Sequence, residues 1–257
     1  MPVPPRRRSA KPPWLTRKPD HTAEARLFCF PYSGCGASMY GQWPQRIGEI
    51  EVCFIQPPAR QNRLHEPHYE TYAALAHSLI EPMLPYLDKP FGFFGHCGGA
   101  LPGVELTRQL ASGGHPVPRR VFVSSQVAPH DGPYGRFLEL NNNELVNELQ
   151  TMIVRLGGRP TPELMEMSLQ LLLQDLEANK RYLEPDVFEL PCGITAIGWS
   201  EDPEIPMELM GGWKDMSKDC RSVLLHGGHF EFLGAPRTLL AEFERDLLDV
   251  SAHRTAS

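Results

Sequence analysis

The sequence predicts an α/β fold, in which a mostly parallel central sheet carries helices on both faces. Short runs of continuously apolar residues alternate along the chain with stretches of helix-period apolar spacing. Strands of a parallel sheet are buried on both faces and show such continuous apolar runs. The chain has 257 residues, of which 41% are hydrophobic, and this is enough to bury one large core.

Six of the apolar runs are predicted strands. They are RLFCF (26–30), VCFI (52–55), FGFF (91–94), RVFVS (120–124), GITAIGW (193–199) and RSVLL (221–225). Residues 70–87 and 99–112 carry apolar positions at helical spacing and are predicted helices. We expect Pro82 and Pro85 to kink the first of these helices or to end it early.

One segment, residues 130–185, breaks the alternation. It begins with loop signals and continues as helical sequence without an obvious strand. Its Leu and Met residues either complete the core or form a helical lid inserted over the active-site end of the sheet, which would exclude water. We expect a disordered basic Pro-rich arm at 1–22, one domain at 23–250 that contains the lid, and a tail at 251–257.

Charge and composition exclude several classes of function. The net charge of −6 gives no general electrostatic case for binding nucleic acid. No stretch approaches the ~20 apolar residues of a membrane span, and the N-terminus lacks the apolar region of a secretory signal. The six cysteines are scattered, without the spacing of a zinc site, and favour a reducing, cytoplasmic setting. No metal cluster, phosphate-binding loop or dinucleotide fingerprint appears, so we expect no cofactor.

The sharpest local pattern is FGFFGHCGGA (91–100), where an apolar strand runs into the turn GHCGG (95–99). The turn is similar to the nucleophile elbow of the α/β-hydrolase fold, with Cys97 in place of the usual Ser. Glycines let strand and helix approach closely around a strained turn. A helix N-terminus there favours a thiolate and directs backbone N–H groups at a developing oxyanion. The other interpretation is a glycine-rich turn with an incidental cysteine.

A carboxylate and a histidine follow in the order that a catalytic triad of this fold requires. Asp202 comes in the loop after the predicted strand at 193–199, and His229 comes in the loop after the next one. Both loops lie where an open α/β sheet gathers its site. We expect His229 to take the thiol proton and Asp202 to orient the imidazole and stabilise its charged form.

Other residues near these two could fill the same roles. His226 is the nearest rival to His229 as the base, because one sequence does not reveal which side chain points inward. Glu201, Asp215 or Asp219 could replace Asp202 as the acid.

Three further motifs extend this pattern along the chain. FPYSGCGA (30–37) is similar to F-P-x-A-G-G, PARQNR (58–63) to P-G-R-x-x-R, and GGHFEFL (227–233) to G-G-H-F-x-x-L. Through these motifs the chain from about residue 26 to residue 248 resembles the type II thioesterases of polyketide and nonribosomal peptide assembly lines.

The resemblance implies further site residues and a partner. In such enzymes the residue after the nucleophile and the first loop supply the oxyanion N–H groups, here Gly98 and Ser33. The partner is an acyl or peptidyl carrier protein that presents its acyl group on a phosphopantetheine arm, and no other cofactor is implied. We expect the arm to enter near Arg60 and Arg63, and we expect a monomer.

The chain departs from the family pattern at three positions. The nucleophile is Cys97, Gly98 stands where Met is common, and Cys35 stands where Gly is common. Cysteine nucleophiles resemble a smaller group of this fold, the aminoacyl shuttle enzymes that move amino-acid thioesters between carrier proteins.

A cysteine nucleophile also bears on the reaction. It converts one thioester into another, so the acyl group keeps its reactivity and can pass to a second thiol near equilibrium. The sequence therefore predicts an acyl-Cys97 intermediate that is passed to another thiol carrier. The alternatives are an editing thioesterase that hydrolyses the acyl group, and a non-catalytic module that binds carrier proteins.

Overall fold

The computed structural model describes residues 14–248, which form a seven-stranded sheet. The strands are β1 (Ala25–Cys29), β2 (Arg46–Ile47), β3 (Ile50–Phe54), β4 (Phe91–His96), β5 (Arg120–Ser124), β6 (Gly193–Trp199) and β7 (Cys220–Leu225). Their order is β2-β3-β1-β4-β5-β6-β7, and every neighbouring pair except β2 with β3 is parallel. The predicted α/β-hydrolase fold is confirmed. The sequence did not predict β2, because two residues are too few to show a period.

The described part of the chain contains five α-helices. They are α1 (Tyr72–Met83), α2 (Leu101–Ser112), α3 (Asn142–Arg155), α4 (Pro162–Arg181) and α5 (Arg237–Leu248). Helix α1 is shorter than predicted, and a 3-10 turn that contains Pro85 follows it. The reason is that proline lacks the N–H that an α-helix needs and clashes with the preceding turn. None of the helices between residues 14 and 248 is long and apolar enough to cross a membrane.

The core lies on both faces of the sheet. Successive side chains of a strand point to opposite faces, so Phe93 joins the cluster that packs under α1 and α2, whereas Phe94 joins the cluster that contains α5. Leu149 of α3 and Leu172 of α4 belong to the second cluster. The helices between β5 and β6 therefore contribute to the core, and the lid expected from residues 130–185 stays a prediction.

The domain begins earlier than the predicted boundary at residue 23. Trp14 and Leu15 are buried, and Leu15 forms a β-bridge with Ile55. The Arg17 guanidinium forms an ion pair of 2.9 Å with the buried Glu51. The expected disorder of residues 14–22 is therefore wrong, because composition does not reveal that an aromatic and an aliphatic side chain have a place in the core. Residues 1–13 and the predicted tail at 251–257 lie outside the described residues.

Candidate active site

Cys97 lies at the sharp turn between β4 and α2. Its φ of 50° is in the left-handed region, which costs energy for a residue with a side chain. Neighbouring glycines make the turn possible. A Cβ on Gly95 would lie 2.1 Å from the carbonyl oxygen of Gly99, and a Cβ on Gly99 would lie 2.5 Å from that of Pro31. The backbone is thus packed too closely for any larger residue, and it presents Cys97 at the carboxyl end of the central strand.

His229 and Asp202 are in direct contact. His229 Nδ1 donates a hydrogen bond of 2.8 Å to Asp202 Oδ2, and both side chains are buried. The same carboxylate accepts hydrogen bonds from the Ser125 hydroxyl at 2.7 Å and from the backbone N–H groups of Glu204 and Ile205 at 2.8 and 3.2 Å. These donors fix Asp202, which in turn fixes the imidazole ring.

The electrostatics of this pair favour a charged imidazole. Burial lowers the pKa of His229, but the hydrogen bond to Asp202 and the nearby Cys97 and Glu204 raise it to about 10. Burial raises the pKa of Asp202, but the hydrogen bond and the charge of His229 outweigh it, so this pKa lies below its usual value. His229 Nε2 is buried and has no hydrogen-bond partner among the described residues. The imidazole can therefore hold at Nε2 the proton taken from Cys97 while Nδ1 stays bound to Asp202.

The other candidates for base and acid lie elsewhere. His226 is 87% exposed in its side chain, and its nearest carboxylate is that of Glu201 at 3.7 Å. Asp215 lies 3.8 Å from His130, and Asp219 is paired with Arg120. Among the described residues none of these side chains pairs with His229, so geometry favours Asp202 as its partner.

A second histidine, His96, packs against the ring of His229. Its ring stacks on Phe232 at 4.0 Å between centroids and meets the edge of His229 at 4.5 Å. Trp199 donates to the Ser124 hydroxyl at 3.0 Å, which leaves the hydroxyl proton for His96 Nδ1 at 2.9 Å. Burial and the charge of His229 hold the pKa of His96 well below its usual value. His96 is therefore neutral and acts as packing for the imidazole.

A cavity of about 290 Å³ surrounds Cys97. Ser33 and Gly98, the two residues expected to supply the oxyanion N–H groups, line it together with Cys97. The rest of its wall comes from the first loop, the segment before α3, helix α4 and the Asp202 loop: Tyr32, Tyr134, Gly135, Arg136, Phe137, Leu138, Leu176, Asn179 and Glu204. Side chains from four separate parts of the chain thus meet around one sulfur atom.

Comparison with known proteins identifies the family. A model described as the thioesterase domain matches residues 25–247. The chain belongs to the thioesterase domain family. It is 36% identical to the linear gramicidin dehydrogenase LgrE of Brevibacillus parabrevis, over 91% of this chain and 92% of that protein. The resemblance inferred from the sequence motifs is confirmed.

Solved structures of thioesterases have the same fold. RedJ, the thioesterase from the prodiginine biosynthetic pathway in Streptomyces coelicolor, is 32% identical with a TM-score of 0.73 over 88% of this chain and 91% of that one. BorB, the type II thioesterase from the borrelidin biosynthetic cluster, is 26% identical with a TM-score of 0.76 over 91% and 96%.

The glycine at position 98 of this thioesterase-family chain is explained by its neighbours. A Cβ there would lie 2.6 Å from the Ser33 hydroxyl oxygen, 3.0 Å from Asn179 Nδ2 and 3.5 Å from the Tyr72 hydroxyl oxygen. Polar side chains from the first loop, α4 and α1 therefore occupy the space that a methionine would fill.

Arg60 and Arg63 do not face the cavity around Cys97. The Arg60 guanidinium is buried and forms two hydrogen bonds of 2.9 Å with the Asp175 carboxylate. Arg63 stacks on Trp14 at 4.0 Å and pairs with Glu66. Internal partners thus occupy both guanidinium groups, and the expectation that the carrier arm enters near Arg60 and Arg63 stays a prediction.

Asp175 is a structural residue that sequence reasoning missed. It lies on α4, and its carboxylate accepts hydrogen bonds from the Gly34 N–H at 2.7 Å and from the Tyr69 hydroxyl at 2.6 Å. Burial raises the pKa of Asp175, but the charge of Arg60 and the hydrogen bonds outweigh it and hold this pKa well below its usual value. The contact with Gly34, which is next to Ser33, fixes the first loop against α4.

Proposed function

We propose that this protein transfers acyl or aminoacyl groups between thiol carriers through a covalent thioester on Cys97. The observation that carries the proposal is the strained turn that presents Cys97 beside a buried imidazole whose pKa is raised to about 10. Membership of the thioesterase family supports a thioester as the substrate. The catalytic residues in this proposal are Cys97, His229 and Asp202.

The first half-reaction moves the acyl group onto the protein. Nε2 of His229 takes the thiol proton, and Sγ of Cys97 attacks the carbonyl carbon of the incoming thioester. The carbonyl electron pair moves to oxygen, where backbone N–H groups of Gly98 and Ser33 would stabilise the charge. Collapse of this adduct breaks the C–S bond to the donor, and the donor sulfur leaves with the proton from His229.

The second half-reaction repeats these steps with a different thiol. The acceptor thiol gives its proton to His229, its sulfur attacks the acyl-Cys97 carbonyl, and Cys97 leaves as the thiol after reprotonation. One thioester is made for each thioester broken, so the transfer is close to thermoneutral. A serine in the same place would form a more stable oxygen ester, from which return to a thiol runs uphill.

The carriers in this proposal are acyl or peptidyl carrier proteins. The proposal is supported by similar proteins, whose names refer to linear gramicidin, the prodiginine biosynthetic pathway and the borrelidin biosynthetic cluster. A second, more open cavity of about 890 Å³ shares Tyr134, Arg136 and Glu204 with the cavity around Cys97. It offers the phosphopantetheine arm a route to the sulfur in place of the one expected near Arg60.

Hydrolysis is the second candidate function. The similar structures RedJ and BorB are both named as thioesterases, and water competes with any acceptor thiol. The covering helices α3 and α4 would favour transfer by limiting the access of water to the acyl-Cys97 carbonyl.

Peptide mapping after incubation with an acyl thioester tests the covalent step. The acyl group should be found on Cys97, and Cys97→Ala should give no adduct. Cys220→Ser is the matched control, since Cys220 is also a partly buried free thiol but lies at the start of β7. A stable adduct on Cys35, or an unchanged yield in Cys97→Ala, would contradict the proposal.

A further inference from the structure

An acidic side chain lines the cavity that holds Cys97. The Glu204 side chain is only 8% exposed, and its Oε2 atom lies 3.8 Å from His229 Nε2. Its backbone N–H is bound to the Asp202 carboxylate, so both acids belong to one tightly held loop. The proposed chemistry gives Asp202 the main role toward His229, whereas the effect of Glu204 on the pKa of His229 is smaller than those of Asp202 and Cys97.

The charge of Glu204 is only partly balanced. Its Oε1 atom lies 3.3 Å from Arg136 Nε, but Arg136 is engaged more closely by Glu148, with two contacts of 2.9 and 2.7 Å. Lys180, which lines the adjoining open cavity, is paired with Glu177 at 3.2 Å.

A charge count for the acylated state follows from these contacts. The donor sulfur has left with the proton of His229, so the charge of Asp202 beside this ring is no longer balanced, and Arg136 serves both Glu148 and Glu204. An acylated Cys97 carries no charge. The side chains around the acyl group therefore keep negative charge in excess, and such charge in a desolvated site favours a cationic ligand.

An uncharged acceptor lies on another wall of the cavity. Asn179 is 4% exposed, and its Oδ1 atom is buried without a hydrogen-bond partner among the described residues. Its amide nitrogen faces Gly98. A buried acceptor without a partner carries a desolvation cost, which a ligand N–H group would remove.

We propose that Glu204 and Asn179 bind the ammonium group of a short α-aminoacyl thioester held at Cys97. This inference rests on the proposed function and narrows its substrate to acyl groups with a positive charge next to the carbonyl. The enclosed space around Cys97 is small, which limits the side chain of the aminoacyl group to a small one. Acyl groups with a carboxylate are disfavoured, because their charge would face Glu204.

Paired substrates of equal shape test this inference. The alanyl thioester of N-acetylcysteamine carries an ammonium group at the position where the isobutyryl thioester carries a methyl group. At pH 6.5 the α-amino group is mostly protonated. The rate of adduct formation on Cys97, followed by intact mass, should be about 10- to 100-fold higher for the alanyl compound in the unmodified protein, as expected for a hydrogen bond between charged groups.

Glu204→Gln should remove the preference. It should slow the reaction of the alanyl thioester by about 10- to 100-fold and leave that of the isobutyryl thioester within about threefold. Glu201→Gln is the matched control, since Glu201 lies three residues away and is 65% exposed. It should change neither rate, and equal melting temperatures of the variants would show that folding is intact.

Each other outcome overturns the inference in its own way. Equal slowing of both substrates in Glu204→Gln would mean that Glu204 acts on His229 and does not bind the acyl group. An unmodified protein that reacts as fast with the isobutyryl as with the alanyl thioester would refute recognition of the ammonium group directly. If neither thioester acylates Cys97, the proposed function itself fails, and the inference fails with it.

Discussion

Asp202→Asn is the substitution that best separates orientation of His229 from the rest of the site. The asparagine side chain has the same shape, so its oxygen can still accept from the backbone N–H groups of Glu204 and Ile205. Its NH₂ group would then face His229 Nδ1 and turn a hydrogen-bond acceptor into a donor. Such a contact favours the tautomer with the proton on Nε2, which cannot accept the proton of Cys97.

The size of the effect follows from the pKa of His229. A value of about 10, compared with 6.5 for an ordinary imidazole, corresponds to about 5 kcal/mol in favour of the charged ring at about 1.36 kcal/mol per pH unit. The hydrogen bond to Asp202 is the largest contribution that raises this pKa. Loss of about half of this free energy would slow acylation of Cys97 by about 100-fold.

The assay is the initial rate of adduct formation on Cys97 by intact mass, measured from pH 6 to pH 9. Ser125→Ala is the matched control, because it removes a neutral donor from the same Asp202 oxygen and leaves the carboxylate in place. Ser125→Ala should slow adduct formation by less than about tenfold, because one hydrogen bond contributes a net ~0.5–1.5 kcal/mol. An Asp202→Asn protein that reacts within threefold of the unmodified one would refute this reasoning.

Three other substitutions have expected outcomes. His229→Ala should reduce acylation by about three orders of magnitude, whereas alanine at the exposed His226 should leave the rate within twofold; the reverse result would move the base to His226. Gly98→Met should lower the melting temperature by several degrees. Overpacking costs ~1–3 kcal/mol, and each kcal/mol lowers the melting temperature of a chain of this size by about 2–4 °C; an unchanged value would contradict the crowding described. Asp175→Asn should lower the free energy of unfolding by about 3–5 kcal/mol at pH 7, because Arg60 would stay buried without its carboxylate. Since the pKa of Asp175 is lowered by folding, its contribution is present above pH 3.8 and is lost as the pH falls, so urea titrations should show the deficit shrinking below pH 3.8.

Local patterns were enough to predict the fold and to single out Cys97, Asp202 and His229 as candidates for one site. The elbow around Cys97 could be predicted because the close approach of strand and helix admits only glycine at positions 95 and 99. The loops of Asp202 and His229 could be placed because each follows a predicted strand, and parallel strands bring their carboxyl ends to one edge.

The remaining residues of the site depend on contacts between distant parts of the chain. Arg60 was predicted from a motif, but its partner Asp175 lies 115 residues later on α4, and no local signal connects the two. Asn179 and Glu204 look like ordinary polar residues of a helix and a loop. Only the packing of α4 and the Asp202 loop around Cys97 makes them walls of a cavity.

The most direct test of transfer through Cys97 is one reaction that contains an acylated donor carrier protein and an unacylated acceptor carrier protein. Free acid and acylated acceptor are followed together over time. We predict that acylated acceptor accumulates faster than free acid, and that without acceptor the acyl-Cys97 adduct persists for minutes or longer. Free acid that forms at the same rate with and without acceptor, with no acylated acceptor, would contradict transfer and identify a hydrolase.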